Sequence, residues 1–437
     1  MSDVAIYEKM KDSKERWLGD IPATWNTRLL KYMFSIKKNI AGETGHQVLS
    51  VTQKGIVPKN MTERGQFSLD YSKYQLVEAG DFVMNHMDLL TGWVDISKYD
   101  GVTSPDYRVF VNTDPTVFHS GYYRYIFQHC YTNRVFYGLG QGVAGFGRWR
   151  LPANMFMNFV LPVPPIVEQE RIARFLNAQC SQIDSLISET KASIEEYTSL
   201  KESIIYETMT QGLISGINLK DTGIEEIGCV PEHWEIRKTG EITKKLTDFV
   251  ASGSFASLRE NVQYLDQPDY AQLIRTVDLS ESSERQPVYI SEDAYNFLHN
   301  SNLYGGEIIL SNIGSVGSVY QYKPMYQFAS LAPNAIMLDF NGNNRFFYYW
   351  FSNPKVKTAL RLLGGNAVQS KFNKTQLRQL RIINPPLDEQ NEIANYLDRR
   401  CGLIDEIIQE KENILCALKK YKSSIIYESV TGKRKVV

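Results

Sequence analysis

Two stretches of this chain are nearly the same, and this repetition limits what the chain can fold into. The first runs from Pro164 to Gly212, and its pattern returns 221 positions later without a gap, beginning at Pro385. Both copies carry a proline pair, a Glu-Gln pair, a cysteine and a closing Ser-Ile-Ile-Tyr-Glu run. An internal repeat predicts a structural unit that the fold uses more than once.

Each copy has the pattern of one long helix. Proline is tolerated in the first helical turn, and an acid just inside it, Glu168 or Glu389, suits the positive end of the helix dipole. Apolar residues then fall three and four apart over several heptads, which is typical of a coiled coil. Gly212 and Gly432 follow the Tyr-Glu runs, where a helix is expected to stop. We therefore predict two long helices that pack as an antiparallel coiled coil.

A second repeat marks the segment that enters each globular part. A Lys-Asp pair, a glycine and a Pro-x-x-Trp motif ending at Trp25 recur 209 positions later and end at Trp234. The sequence predicts an α+β fold, with two similar mixed α/β domains separated by the two helices. The predicted boundaries are 1–163 for the first domain, 164–212 for the central helix, 213–384 for the second domain and 385–437 for the C-terminal helix.

Short apolar runs predict strands inside both domains. They lie at 48–51 and 81–84 in the first domain and at 271–274 and 306–311 in the second. Each domain also holds an aromatic block, at 121–131 and 345–351, and periodicity leaves the first of these open between helix and strand. The domains otherwise share little identity, which favours two domains that recognise different targets on one scaffold.

Composition excludes several classes of protein. The 437 residues carry a formal net charge of −1, and no window has the eighteen apolar residues of a membrane span. The polar N-terminus does not resemble a signal peptide, so we expect a cytoplasmic protein without a membrane partner. The five cysteines include no Cys-x-x-Cys, and no histidines stand at metal-ligand spacing, so neither a metal site nor a disulfide framework is expected.

Charge is distributed unevenly, and this is informative about binding. Residues 115–167 and 340–387 contain no Asp or Glu, although both stretches contain arginines, and the second also contains lysines. Each acid-free stretch lies at the same place in its repeat, just before or at the start of a long helix. Basic surfaces of this kind attract phosphates, and neighbouring polar side chains reach base edges. The sequence predicts a nucleic-acid-binding face in each repeat.

No catalytic constellation is present in the sequence. Asn384-Pro385-Pro386-Leu387 resembles the Asn-Pro-Pro-aromatic motif of adenine methyltransferases, but its fourth residue is not aromatic and it coincides with a predicted helix start. There is no glycine-rich loop for S-adenosylmethionine and no GxxxxGK[ST] for a triphosphate. We predict a subunit that is not itself an enzyme and binds no cofactor or metal.

Together these motifs resemble a known family, the specificity subunits of type I restriction-modification systems. The resemblance is carried by Gly19-x-x-Pro22-x-x-Trp25 and Gly228-x-x-Pro231-x-x-Trp234, and by the two Pro-Pro-x-x-Glu-Gln-x-x-Ile-Ala helix starts. It spans the chain from end to end. One departure lies in the first domain, where 84–87 reads Met-Asn-His-Met and the matching stretch of the second domain reads Leu-Ser-Asn-Ile-Gly.

The resemblance implies a non-catalytic DNA sequence-specificity subunit. It implies that one target-recognition domain binds each half of an asymmetric bipartite site in double-stranded DNA, while the helices set the spacing. It also implies partners: two methyltransferase subunits that dock on this chain, and restriction/translocase subunits that join them. S-adenosylmethionine, ATP and Mg²⁺ are then expected on these partners and not on this chain.

Particular residues are candidates for DNA contact, because arginine pairs with guanine and Asn or Gln with adenine. The candidates are Asn85, His86, Arg148, Arg150, Asn312, Ser315, Gln369, Lys371 and Lys374. Two other functions stay open at this stage. One is a stand-alone adenine methyltransferase or nuclease with divergent motifs, and the other is a structural coiled-coil adaptor without a DNA role.

Overall fold

The chain forms two compact units. A computed structural model describes residues 6–59, 71–142, 149–280, 285–363 and 371–437. Unit 1 comprises Met1–Lys191 together with Asn413–Val437, and unit 2 comprises Ala192–Glu412. Each unit therefore combines one globular part with a section of both long helices.

Unit 1 is built mainly from short strands, followed by two short helices and the first long helix. Its strands are β1 (Met10–Asp12), β2 (Asp20–Pro22), β3 (Asn26–Leu29), β4 (Phe34–Lys37), β5 (Leu49–Thr52), β6 (Gly55–Pro58), β7 (Gln75–Val77), β8 (Phe82–Met84), β9 (Val94–Ile96), β10 (Gly101–Thr103), β11 (Arg108–Asn112) and β12 (Val160–Val163). Its helices are α1 (Ser120–Thr132), α2 (Ala153–Met157) and the start of α3 (Ile166–Gln211).

Unit 2 repeats this order with additional elements. Its strands are β13 (Leu219–Asp221), β14 (Cys229–Pro231), β15 (Glu235–Lys238), β16 (Thr243–Asp248), β17 (Ala271–Ile274), β18 (Tyr289–Ile290), β19 (Asn302–Leu303), β20 (Ile308–Ser311), β21 (Val319–Gln321), β22 (Ala329–Leu331), β23 (Ala335–Phe340) and β24 (Arg381–Asn384). Its helices are α4 (Thr239–Ile242), α5 (Phe255–Asn261), α6 (Glu292–Phe297), α7 (Asn344–Ser352), α8 (Pro354–Leu363), α9 (Lys374–Gln379) and the start of α10 (Leu387–Val430).

The predicted α+β fold with two long helices is confirmed. Helices α3 and α10 each begin directly after their proline pair, where the missing proline N–H costs nothing. Both aromatic blocks are helical, as α1 and α7, which resolves the choice that periodicity left open. They are helical because each buries most of its aromatic rings in the core of its unit.

Both units share one sheet arrangement. Four antiparallel strands are ordered β4-β11-β8-β9 in unit 1 and β16-β23-β20-β21 in unit 2. A separate strand pair, β3 with β12 and β15 with β24, joins the start of each globular part to its end. Unit 2 also holds a second sheet, β18-β17-β22-β19, in which β17 and β22 are parallel. Unit 1 has the same pairings in shorter form: β5 with β6 antiparallel, a parallel bridge between Val48 and Val102, and β10 with β7 antiparallel.

A buried tryptophan locks each entry motif against the long helices of its own unit. Trp25 is fully buried and its indole N–H donates to Glu168 Oε2 at 3.0 Å, near the start of α3. Trp234 does the same to Glu389 Oε2 at 2.9 Å, near the start of α10. The repeated tryptophan and the repeated glutamate of the sequence are therefore hydrogen-bond partners.

The glycine that ends a long helix packs against the same tryptophan. Gly432 has φ of +74°, and a Cβ there would meet Pro22 Cδ at 2.3 Å and the Trp25 ring at 3.2 Å. Gly212 has φ of +73°, with the Trp234 ring at 3.4 Å from its ideal Cβ. Both sites need glycine for the left-handed conformation, and Gly432 also needs it for space. In each unit the tryptophan thus contacts the beginning of one long helix and the end of the other.

The glutamine after each glutamate fixes the aromatic helix. Gln169 is fully buried; its Oε1 accepts from the His119 N–H at 2.8 Å, and its amide donates to Pro164 O at 2.8 Å. Gln390 Oε1 accepts from the Asn343 N–H at 2.9 Å and its amide donates to Pro385 O at 2.8 Å. His119 and Asn343 are the N-cap residues of α1 and α7. The Glu-Gln repeat thus joins each domain to its helix.

The long helices run antiparallel within each unit. In unit 1, Lys422 Nζ lies 2.6 Å from Asp184 Oδ1, and Arg171 Nη1 donates to Val436 O at 3.4 Å. In unit 2, Lys201 Nζ lies 2.6 Å from Asp405 Oδ1, and Lys411 Nζ lies 5.4 Å from the centre of the Tyr197 ring. In both units, residues later in α3 therefore contact residues earlier in α10.

Candidate nucleic-acid interface

In unit 1, a loop that follows a buried strand meets the segment that precedes a short helix. Residues 85–92, here called loop L1, follow β8, and residues 149–152, here called segment S1, precede α2. The Leu151 N–H donates to His86 O at 2.9 Å, and the Leu89 N–H donates to Trp149 O at 3.0 Å. Loop L1 thus brings Asn85 and His86 next to the segment that contains Arg150.

Unit 2 has the same junction. Residues 312–318, here called loop L2, follow β20, and residues 371–373, here called segment S2, precede α9. The Asn312 side-chain amide donates to Phe372 O at 3.1 Å. Phe372 stands 221 positions after Leu151, so the same place in both repeats makes the contact. Loop L2 thus brings Asn312 beside the segment that contains Lys371, whereas the Ser315 hydroxyl bonds to Ser311 within the turn.

Loop L1 is held in shape by its own hydrogen bonds. Asp88 accepts the backbone N–H groups of Leu90 at 2.8 Å and Thr91 at 3.1 Å, and it also accepts the Thr91 hydroxyl. Burial raises the pKa of the Asp88 carboxyl, but the bonds from Thr91 and Leu90 outweigh it and leave the pKa below its usual value. A Cβ at Gly92 would meet Asp88 O at 2.1 Å, so the loop closes only with glycine there.

Loop L2 turns by glycines with positive φ. Gly314 and Gly317 have φ of +83° and +84°, and the Gly317 N–H donates to Ser311 O at 3.1 Å. A Cβ at Gly317 would lie 3.1 Å from Lys357 O, which also limits substitution there. Ser315 is exposed on this turn, whereas Asn312 is buried at its base. The two loops therefore occupy equivalent positions but are shaped by different bonds.

A buried cation lies beneath the unit 1 junction. Arg108 is 5% exposed, and its Nη2 donates to Leu151 O at 2.9 Å while its guanidinium stands 4.8 Å from the Phe156 ring centre. Burial lowers the pKa of Arg108 to about 10. Burial, aided by the charges of Arg108 and Arg150, lowers the pKa of His86 to about 4. His86 is therefore neutral at pH 7.

Sequence reasoning did not select Arg108. In the sequence Arg108 reads as an ordinary residue of strand β11. Only the fold shows that its guanidinium reaches segment S1. An arginine at the start of a strand whose other residues are mostly apolar is the signal that was available.

The remaining candidates have different surroundings. Arg150 and Lys371 are exposed, and neither has an ion-pair partner among the described residues. Lys374 has an internal partner, since its Nζ lies 2.7 Å from Asp248 Oδ1. Arg148 and Gln369 lie outside the described residues.

The basic face predicted from the acid-free stretches is smaller than the sequence indicates. Arg124 Nη2 donates to Asn177 Oδ1 on α3 at 2.7 Å, and Arg345 Nε donates to Asp398 Oδ1 on α10 at 2.5 Å. Lys355 Nζ donates to the Tyr206 hydroxyl at 2.8 Å. These three cations hold the domains against their own helices, because long cationic side chains reach partners that are distant in sequence.

The described residues contain neither a metal-ligand cluster nor a membrane-spanning helix. Within residues 6–59, 71–142, 149–280, 285–363 and 371–437, no three or more His, Cys, Asp or Glu side chains are grouped so as to hold a metal ion. Among the helices of these described ranges, none is both long and apolar enough to cross a membrane.

The architecture defines a two-repeat α+β protein in which each domain packs against the long helices, and comparison with known proteins shows what it is similar to. Residues 231–416 match the family model described as the type I restriction modification DNA specificity domain. The resemblance inferred from the sequence is confirmed: residues 231–416 match this domain, and the likeness to type I specificity subunits extends over nearly the whole length of the chain.

The most informative relatives are archaeal. A protein described as a specificity subunit of the type I restriction enzyme MjaX, from Methanocaldococcus jannaschii, is 23% identical over 458 aligned positions that cover 98% of both chains. The type I restriction enzyme MjaVIII specificity subunit of the same organism is 25% identical, covering 67% of this chain and 66% of its own.

The fold also has a solved counterpart. A chain from a structural study of complex assembly and conformational transition of the type I R-M system superposes with a TM-score of 0.67 and 13% identity. The superposition covers 94% of this chain and 98% of that one. At this identity the likeness shows the shared fold.

Proposed function

We propose that this chain is the non-catalytic DNA-specificity subunit of a type I restriction-modification complex, and that each unit recognises one half of an asymmetric bipartite site in double-stranded DNA. The proposal extends to partners: methyltransferase subunits dock on the chain and restriction/translocase subunits join them. S-adenosylmethionine, ATP and Mg²⁺ belong to those partners. The finer points rest on the family resemblance and on the geometry of the two junctions.

One observation carries the proposal. The L1–S1 and L2–S2 junctions occur at equivalent positions, 221 residues apart at Leu151 and Phe372, yet their loops differ in sequence and in internal bonding. A constant frame that presents two different loops is what recognition of two different half-sites requires. Each junction also carries an exposed cation, Arg150 or Lys371, which suits a phosphate or a guanine edge.

The near-neutral net charge fits a chain that does not bind DNA alone. Because the formal net charge is −1, the electrostatic attraction to phosphates is concentrated at the junctions, and the partner subunits are expected to add to it. The salt dependence of DNA binding should therefore be steeper for the assembled complex than for this chain by itself. An adaptor without a DNA role would show no salt-dependent DNA binding in either form.

Single-molecule sequencing of methylated bases gives the decisive test. The chain and its partner subunits are expressed together in a host without other methylation, and the modified sequence is read. A two-part motif with a fixed gap is expected, and omission of this chain should abolish methylation. A short continuous palindrome would contradict the proposal. Methylation by the purified chain alone would instead establish a stand-alone methyltransferase.

A further inference from the structure

Unit 2 contains an open cavity whose lining includes no residue of loop L2 or segment S2. Its volume is about 510 Å³, and it lies between the turn that precedes β14 and helices α7, α8 and α9. We call it the unit 2 cavity. Its apolar lining consists of Ile224, Ile227, Trp350, Val356, Ala359, Leu363 and Leu380.

The turn that forms one wall of this cavity exists in both units. In unit 2 the N–H groups of Ile227 and Gly228 donate to Ile224 O at 3.0 and 2.8 Å. In unit 1 the N–H groups of Leu18 and Gly19 donate to Glu15 O at the same distances. The turns are 209 positions apart, so Glu226 of the unit 2 cavity is the counterpart of Trp17.

The opposite wall corresponds as well. Leu380 lines the unit 2 cavity, and its carbonyl accepts the Thr239 N–H at 2.8 Å. The carbonyl of Phe159, 221 positions earlier, accepts the Leu30 N–H at 2.8 Å. Leu380 is therefore the counterpart of Phe159.

Unit 1 fills this place with its own aromatic rings. Trp17 stacks on Phe159 with ring centroids 5.2 Å apart and an interplanar angle of 24°. In unit 2 these rings are replaced by Glu226 and Leu380, and Gln376 stands where unit 1 has Met155. Protein interiors are normally close-packed, so loss of the indole leaves apolar walls without contacts. The unit 2 cavity therefore lies at the place where unit 1 holds the Trp17 ring.

The charged residues at the rim of the cavity indicate which chemical group would lie next to the ring. Glu226 lines the cavity and Glu225, beside it, is exposed, while Arg381 is the basic residue of the lining. Neither Glu226 nor Arg381 has an ion-pair partner in the part of the chain that the structure describes. A ring placed where unit 1 has Trp17 would lie beside Glu226, so this carboxylate favours a basic group next to the ring.

We propose that the unit 2 cavity binds an aromatic side chain of a second protein, carried next to a basic residue. The second protein supplies in trans the ring that Trp17 supplies within unit 1. The basic residue pairs with Glu226, and the ring packs on Leu380 and Trp350. The proposal does not rest on DNA recognition, although the cavity borders segment S2: the Gln376 N–H donates to Asn373 Oδ1 at 2.9 Å, and the Asn373 N–H donates to Gln376 Oε1 at 3.0 Å.

A dipeptide titration tests the proposal. Acetyl-Lys-Trp-amide is titrated into the full-length chain and followed by ligand-observed saturation-transfer NMR, with acetyl-Lys-Ala-amide and acetyl-Glu-Trp-amide as matched probes. Saturable binding of the first is expected, at least tenfold weaker binding of the second, and severalfold weaker binding of the third. Glu226→Trp fills the cavity with the chain's own ring and should abolish binding of all three.

Two further variants keep the result interpretable. Glu226→Gln keeps the side-chain size and should reduce acetyl-Lys-Trp-amide to the affinity of acetyl-Glu-Trp-amide, while thermal unfolding of both variants reports that unit 2 is folded. Trp17→Ala should open a second cavity in unit 1 and add a second binding event. Absence of saturable binding, or equal binding to Glu226→Trp, overturns the proposal. Equal affinity for all ring-containing probes would indicate a site for free aromatic molecules and overturn the protein partner.

Discussion

The two units are alike where they hold their helices and different in the loops of their junctions. Trp25 and Trp234 make the same bond to Glu168 and Glu389, at 3.0 and 2.9 Å. By contrast, loop L1 is closed by Asp88, whereas loop L2 turns at Gly314 and Gly317. Duplication thus preserved the contacts between domain and helix, while the loops diverged. Substitutions can test both the likeness and the difference between the units.

The largest effect is expected from the buried tryptophans. Trp25→Ala and Trp234→Ala each remove a fully buried ring and its hydrogen bond, and each should destabilise its own unit by about 3–5 kcal/mol. Hydrogen exchange read by mass spectrometry on the full chain should show lost protection in the mutated unit. Trp→Phe at each position is the matched control and should cost less. If one substitution lowered protection equally in both units, the view that each tryptophan–glutamate contact stabilises only its own unit would be contradicted.

The buried glutamines should give a smaller and again symmetrical effect. Gln169→Leu and Gln390→Leu leave the His119 or Asn343 N–H without its acceptor, at a cost of about 1–3 kcal/mol each. Chemical denaturation of each variant measures this. Gln182→Leu, on the exposed side of α3, is the matched control and should be near neutral. A neutral Gln390→Leu beside a damaging Gln169→Leu would show that the repeat is not equivalent.

Exposed cations at the junctions should separate the units by function. Arg150→Ala should weaken binding or relax the first half of the methylated motif, by about 1–3 kcal/mol if it reads a base. Lys371→Ala should affect only the other half. Methylome sequencing of each variant measures this, with Lys38→Ala as an exposed control outside both junctions. An unchanged motif and affinity in Arg150→Ala would remove Arg150 from the interface.

Acid should weaken unit 1 through its buried histidines. Burial lowers the pKa of His129 to about 4, as burial and the nearby arginines do for His86, from the usual 6.5. Since the folded-state pKa is depressed, the unfolded chain binds more protons between pH 6.5 and 4, and stability is lost as pH falls through that window. Hydrogen exchange at pH 7 and pH 4.5 should show this loss in unit 1. His86→Gln with His129→Gln should reduce it; an unchanged acid response would contradict burial as its cause.

The smallest effect is expected from the helix ion pairs. Lys201–Asp405 and Lys422–Asp184 are both largely solvent-exposed, so breaking either pair by substitution to alanine should cost about 0–1 kcal/mol. A double-mutant cycle on each pair, measured by chemical denaturation at low and high salt, gives the coupling energy. A coupling well above this range would show that the pairs, and not the apolar seam, hold the helices together.

Much of the fold followed from local patterns. The proline pairs, the heptad spacing and the terminal glycines predicted helices that the structure begins at Ile166 and Leu387. The runs at 81–84 and 306–311 contain β8 and β20. These features are readable because helix and strand periods depend on neighbours in sequence. Periodicity could not assign the first aromatic block to a helix or a strand, because the burial of its rings is decided by tertiary contacts.

The candidate interface was predicted less completely. Loop positions such as Asn85 and Asn312 follow from strand ends, but whether a cation faces solvent depends on partners far away in the chain. Arg345 Nε lies 2.5 Å from Asp398 Oδ1, and Lys374 Nζ lies 2.7 Å from Asp248 Oδ1. Arg150 and Lys371, by contrast, are exposed. Charge counts along the sequence cannot make that distinction, because they contain no distances.

The sequence by itself determined that this protein repeats one unit, that long helices begin at its proline pairs, and that no catalytic motif accompanies them. Only the tertiary structure decided which repeated residues touch. It paired each tryptophan with a glutamate, placed Arg108 beneath loop L1, and left a cavity where Glu226 replaces Trp17. The physical reason is that repeats are visible in the order of residues, whereas bonds, buried charges and unfilled space depend on three-dimensional distance.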